Sequence, residues 1–179
     1  MRSKVLGVVA AIGAAAALVP SVAAPADGRV GARTVVLVKF QSQLLAALNG
    51  VRAAHDLAPL RSSPQLTRAA VQHSSEMVAS GYFGHESADG SAFSARVQRF
   101  YAPGPGGYRS IGENLLWASP DLGAKRALAL WMASGPHREN ILSPLWREIG
   151  ISAEHVHAAP GTFGGLEVTV VTVDFGVRH

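Results

Sequence analysis

The chain has 179 residues, 48% of them hydrophobic, with 16 basic residues against 12 acidic ones and no cysteine. That length favours one domain with a core of useful size, and the missing thiols exclude disulfide staples, cysteine nucleophiles and thiolate metal sites. The charge excess is small, and no Lys/Arg run is long enough to make a nucleic-acid footprint.

Arg2 and Lys4 precede an uncharged run from Val5 to Val19, and small residues follow in "PSVAAPA", Pro20 to Ala26. A basic start, an apolar stretch and small residues in that order read as a secretory signal peptide over residues 1–23, which makes the mature protein an exported one. The apolar stretch is shorter than the roughly 20 residues of a membrane span, so no span is expected once it is removed. Residues 24–37 read as a linker rich in small residues, and residues 38–179 as the folded domain.

From Val38 to His55, Leu44, Leu48 and Val51 fall at helical spacing. Ser63-Pro64 is a helix start, a hydroxyl cap followed by proline at the first helical position. Leu66, Ala70, His73 and Met77 share one face of the helix that follows, and Gly81 ends it. "YFGHESADGSAF" reads as a loop, "SAFSARVQRF" as a short helix from Ser91, and "YAPGPGGYRS" as irregular chain. A short apolar piece, "IGENLLWA", precedes a third helix that Asp121 caps and that Gly135-Pro136 stops, with Trp131 on its apolar stripe. "IGISAEHVH" and "LEVTVVTVDFGV" are rich in β-branched residues and separated by a glycine-containing loop, which predicts an antiparallel pair. Helices first and strands last predict an α+β fold with helices covering an antiparallel sheet.

Three polar residues sit where no helix or strand pattern explains them: His85 in "YFGHES", Glu113 in "GENLL", and His137 directly after the Gly-Pro break. Imidazoles ligate metals and move protons near neutral pH, and a carboxylate beside them completes a ligand set or orients a ring. Taken singly, each also fits a hydrogen-bonded structural group, and their spacing matches no local metal motif. His73 reads as a satisfied core histidine. His155 and His157 lie two apart on one strand face, where an exposed strand face accounts for them better than an adventitious metal does. No serine has a nucleophile-elbow context. Ser134 is the serine nearest the candidates, and Asp174 in "VDFG" is placed to orient a histidine.

In order along the chain, "LNGVRAAHDLAPL", "LTRAAVQHSSEMVASGYFGH", "GEN", the "W…SGPHRENIL" run, "REIGI" and "VDFG" resemble the motif series of the CAP superfamily, or SCP-like extracellular domains, over about residues 42–176. The cysteine-free form resembles its short bacterial branch. The resemblance implies a three-layer α-β-α sandwich around a central antiparallel sheet. It also implies a cleft lined by His85, Glu113 and His137, into which the Gly-Pro break turns His137. Where many members, chiefly eukaryotic, carry a glutamate three residues after the third-helix tryptophan, this chain has Ser134, so a weak and open divalent-metal site is expected, of zinc type, with His85, His137 and Glu113 as ligands. Asn114, Arg138 and Asn140 match family positions and read as structural hydrogen bonders. Three functions follow: a monomeric exported binding module for a small-molecule, lipid-like, cell-envelope or protein ligand; a hydrolase acting at the cleft, its catalytic residues unassigned; or a structural domain with a vestigial cleft.

Overall fold

The computed structural model describes residues 34–107 and 109–178. The leader and most of the segment read as a linker lie outside the described residues. The end of that segment, Thr34–Val36, forms a short strand, β1, because a β-branched run meets the outer edge of a longer strand.

Helix α1 spans Val38–Ala53, the two-residue strand β2 spans Arg61–Ser62, and α2 spans Pro64–Ser80. Ser63 caps α2 as the sequence predicts, its side chain accepting from the Leu66 N–H, and Gly81 ends the helix in the left-handed region at φ 67°. Helix α3 covers Phe93–Gln98, two residues later than expected. Strand β3 covers Arg109–Ala118, α4 Ala124–Ala133, α5 Gly135–Ile141, β4 Glu148–Val156 and β5 Val168–Arg178.

Two sequence expectations change. "IGENLLWA" is the greater part of β3, a full strand without polar alternation, because it is buried along nearly its whole length. Asp121 does not cap α4. Leu122 turns into the core first, and Gly123 occupies the cap position without a side-chain bond. The Gly-Pro break closes α4 and also opens α5, with proline in its first turn.

The sheet runs β1-β4-β5-β3, antiparallel between neighbours, with β2 added parallel to β4 on the same outer edge as β1. Alternation divides its side chains between two helical layers. Ile149, Ile151, Val171, Val173 and Phe175 pack with Leu44 and Leu48 of α1, Trp131 of α4 and Ile141 of α5. On the opposite face, Leu115, Val156, Val168 and Val170 pack with Met77 and Val78 of α2, and Ile111 packs with Leu66 of α2 and Phe93 and Val97 of α3. This is the α-β-α sandwich of an α+β protein.

Arg52, near the end of α1, is fully buried. Its guanidinium donates to the backbone carbonyls of Ala58, Ile141, Ser143 and Trp146, at 2.7–3.5 Å. It fastens α1 to the segment that leads from α5 into β4. Asn49, one helical turn earlier, exchanges a donor and an acceptor with the Leu60 backbone at 3.0 and 2.8 Å. The Asn-x-x-Arg spacing thus puts two backbone-gripping side chains on one helix face.

Candidate functional site

Glu113 of β3 stands opposite Asp174 of β5, and Asp174 opposite Gly150 of β4, all directed at the α2 side of the sheet. A side chain at Gly150 would run into α2 itself, since a Cβ there would lie 2.1 Å from the Leu66 carbonyl carbon. The absence of that side chain lets α2 approach the sheet and cover the acidic pair.

The loop after α2 carries His85 to this pair. His73 anchors it: fully buried, its ring Nε2–H donates to the Gly84 carbonyl at 2.8 Å, and burial holds its pKa below the ordinary value so that it stays neutral. This agrees with the reading of His73 as a core group. His85 Nδ1 then donates to Glu113 Oε1 at 2.7 Å. Arg96 of α3 bonds the other oxygen, Glu113 Oε2, and donates to the His85 carbonyl at 3.1 Å and Ser87 Oγ at 3.3 Å.

Burial pushes the Glu113 carboxyl upward, but the His85 hydrogen bond and the nearby positive charge of Arg96 outweigh it and hold the pKa below the usual carboxylate range. Asp174 goes the other way. Burial raises its pKa well above the ordinary value and the adjacent Glu113 charge raises it further. Two carboxyls side by side in a dry site do not both ionise. Of the two, Glu113 is the carboxyl that these surroundings hold towards its charged form and Asp174 the one they hold towards its neutral form. Asp174 thus partners a carboxylate and not a histidine, contrary to the role its motif suggested.

His137 enters from α5. Its Nδ1 shares a hydrogen bond with Ser134 Oγ at 2.9 Å. The Asn114 side chain donates to the His137 carbonyl at 3.2 Å, and Asn140 donates to Asn114 Oδ1 at 2.9 Å and to the Glu113 carbonyl at 3.2 Å. These amides tie α5 to β3, as expected of structural hydrogen bonders. Arg138 donates to the Met132 carbonyl at the surface. His85 is 7% exposed and His137 fully buried.

The fold therefore brings together His85 with Glu113, and Ser134 with His137. Among the described residues, the one group of three or more His, Asp or Glu side chains whose ligand atoms lie within 4.8 Å of one another is His155, His157 and Glu167, elsewhere on the molecule. Arg96 was missed by sequence reasoning. The signal was present: an arginine between Phe93 and Val97 on the apolar stripe of a short helix needs a buried partner.

A family model described as CAP, the cysteine-rich secretory protein family, matches residues 45–175. The Bacillus subtilis protein YkwD is 29% identical over 113 residues, 63% of this chain and 41% of that protein. Among solved structures, an extracellular protein containing an SCP domain from Bacillus anthracis matches at TM-score 0.59 and 25% identity, over 77% of this chain and 40% of that one. An outer surface protein from Borrelia burgdorferi matches at TM-score 0.61 and 16% identity, over 82% of this chain and 98% of that one. This chain thus spans about two fifths of the length of the two Bacillus relatives.

Proposed function

Given that the chain belongs to the CAP family of cysteine-rich secretory proteins, we propose that it is an exported binding module whose His85/His137 site takes a divalent metal weakly. The leader-like start of the sequence supports export, as does the description of relatives as extracellular or outer-surface proteins. No helix among the described residues is long and apolar enough to cross a membrane.

The observation that carries this reading is the commitment of Glu113. His85 holds one of its oxygens and Arg96 the other, and its pKa is depressed. A carboxylate so engaged is a poor general base, since it resists taking a proton. It is well suited to orient an imidazole, the usual outer-sphere partner of a metal-bound histidine. Ser134 does the same for His137. With both Nδ1 atoms engaged, Nε2 is the ring atom that would hold a metal on each histidine, and zinc accepts such a neutral imidazole pair. The metal would supply an electrophilic centre for an oxygen-bearing ligand. In this reading Glu113 supports His85 as its hydrogen-bond partner, in place of the third-ligand role.

An open hollow of about 560 Å³ between α1 and the start of α4, lined by Ala46, Ala47, Gly123 and Ala124 with Gln43 and Lys125 at its polar margin, supports a lipid-like occupant. Native mass spectrometry and metal analysis of the exported protein test both parts, and an apolar small molecule is the expected passenger. In zinc titrations, His85→Ala and His137→Ala should each weaken this site at least tenfold. Binding should also weaken as pH falls, because protons compete with the metal for the imidazole nitrogens. Ser134→Glu, which adds a charged ligand, should tighten it. Wild-type affinity in both alanine variants would remove the metal from the reading.

One contact favours a hydrolytic alternative, the 2.9 Å pairing of Ser134 Oγ with His137 Nδ1. In that case Ser134 would be labelled by a fluorophosphonate, and His137→Ala would abolish the labelling.

A further inference from the structure

The β4–β5 hairpin carries a second constellation that the proposed function does not use. His155 lies in β4, His157 follows the last residue of β4, and Glu167 precedes the first residue of β5. The register sets His155 opposite Thr169 and Val156 opposite Val168. Alternation along both strands therefore directs His155, His157 and Glu167 to the same face.

The geometry is close to that of a coordination site. His155 Nε2 lies 2.8 Å from Glu167 Oε1, and His157 Nδ1 lies 3.4 Å from the same oxygen. The two rings stand edge to face at 5.1 Å, and one ligand atom from each of the three side chains lies within 4.8 Å of the others. Bonds of about 2.0–2.1 Å to a tetrahedral zinc require ligand atoms roughly 3.3–3.4 Å apart. Small side-chain rotations reach that spacing, and the His157 and Glu167 side chains, 60% and 45% exposed, are placed to make them.

The supporting structure is in place. His155 Nδ1 shares a hydrogen bond with Thr169 Oγ1 at 3.0 Å, in which Nδ1–H is the donor once Nε2 holds a metal, and Thr169 is buried. This fixes the ring with Nε2 towards Glu167, the outer-sphere arrangement expected of a metal-bound histidine. The loop that joins the strands is pinned. Ala159 N–H donates to the Leu166 carbonyl, Gly165 N–H to the Ala159 carbonyl, and Thr162 N–H to the Gly81 carbonyl at the end of α2, all within 2.8–2.9 Å. Phe163 in that loop is buried edge-on against Trp117 at 5.4 Å. The ligands therefore stand on a rigid hairpin and need little ordering on binding. As a surface ion-pair cluster the same residues would add little to stability.

We propose that His155, His157 and Glu167 form a zinc-class divalent-metal site, separate from the His85/His137 site. Two imidazoles and one carboxylate favour zinc, nickel or copper over calcium or magnesium. Three protein ligands at an exposed position leave a fourth coordination position for water.

Zinc titration by calorimetry on the full chain, without a histidine tag, tests the assignment. The His85→Ala/His137→Ala double variant should retain an equivalent of zinc binding. Adding His157→Ala or Glu167→Gln to it should weaken that equivalent at least tenfold, and magnesium should give no binding heat. Because His157 and Glu167 are exposed, these two changes should leave the thermal melt of the metal-free protein unaltered. The proposal is overturned if the double variant binds no zinc, or if the added hairpin changes leave its affinity intact. Loss of the His85/His137 component alone bears on the proposed function and leaves this site standing.

Discussion

At Glu113 three elements meet on one carboxylate, since His85 follows α2, Arg96 belongs to α3 and Glu113 to β3. Glu113→Gln would leave the Arg96 charge buried without its partner, and should destabilise the fold by about 3–5 kcal/mol in urea unfolding. Asp174→Asn should do far less, because burial and the Glu113 charge already favour the neutral form of the wild-type side chain. The pH dependence separates the two carboxyls. The pKa of Glu113 is lowered on folding, so its contribution is present above the unfolded value and lost as pH falls through the folded one. The pKa of Asp174 is raised, so its contribution is full below the unfolded value, near 3.9, and declines as pH rises towards the folded value. Asp174→Asn should therefore gain on wild type as pH rises from about 4 to 7. Parallel stability curves for the two proteins would show that Asp174 ionises alike in both states. His85, Glu113 and His137 were legible in the sequence because each breaks the local pattern. Their partners were not, because Asp174 meets Glu113 only through the β3–β5 register and Arg96 only through tertiary packing.

Among the elements, α1, α2, α4 and the β4–β5 pair were legible because their periods are clean and their ends are marked by Ser63-Pro64, Gly81 and Gly135-Pro136. Strand β3 was not, since a strand buried on both faces has no alternation to read, and β1 and β2 were too short to leave a pattern. The two glycines Gly150 and Gly50 offer a sharp contrast. A Cβ at Gly150 would overlap the backbone of α2, with Thr67 N at 2.3 Å as well as the Leu66 carbonyl group. Gly150→Ala must then push a helix off the sheet, and should cost at least the roughly 1–3 kcal/mol typical of overpacking. Gly50, exposed near the end of α1, has nothing within 4 Å of its virtual Cβ. Gly50→Ala should stabilise by up to about 1 kcal/mol through helix propensity. Thermal melts of the two variants that shift in the same direction would refute this account of the α2–β4 approach.

Across the whole molecule, one core unites α1, α4 and α5 with the sheet. Trp131 is the largest fully buried side chain there, and its indole N–H donates to the Leu115 carbonyl at 3.0 Å. Trp131→Ala should cost about 3–5 kcal/mol and leave zinc binding at the hairpin intact, because His155, His157 and Glu167 stand on the β4–β5 hairpin and not on α4. A loss well under 2 kcal/mol would mean that α4 contributes little to the core. The Arg52 clamp has a consequence of another kind. It grips carbonyl oxygens, which every residue possesses, so it does not read the identities of Ala58, Ile141 or Ser143. Ala58 and Ser143 can drift under mutation, and Ile141 is restrained by the core alone, while the tie between α1 and the chain entering β4 persists. A single arginine thus specifies the path of a distant segment and leaves its spelling open.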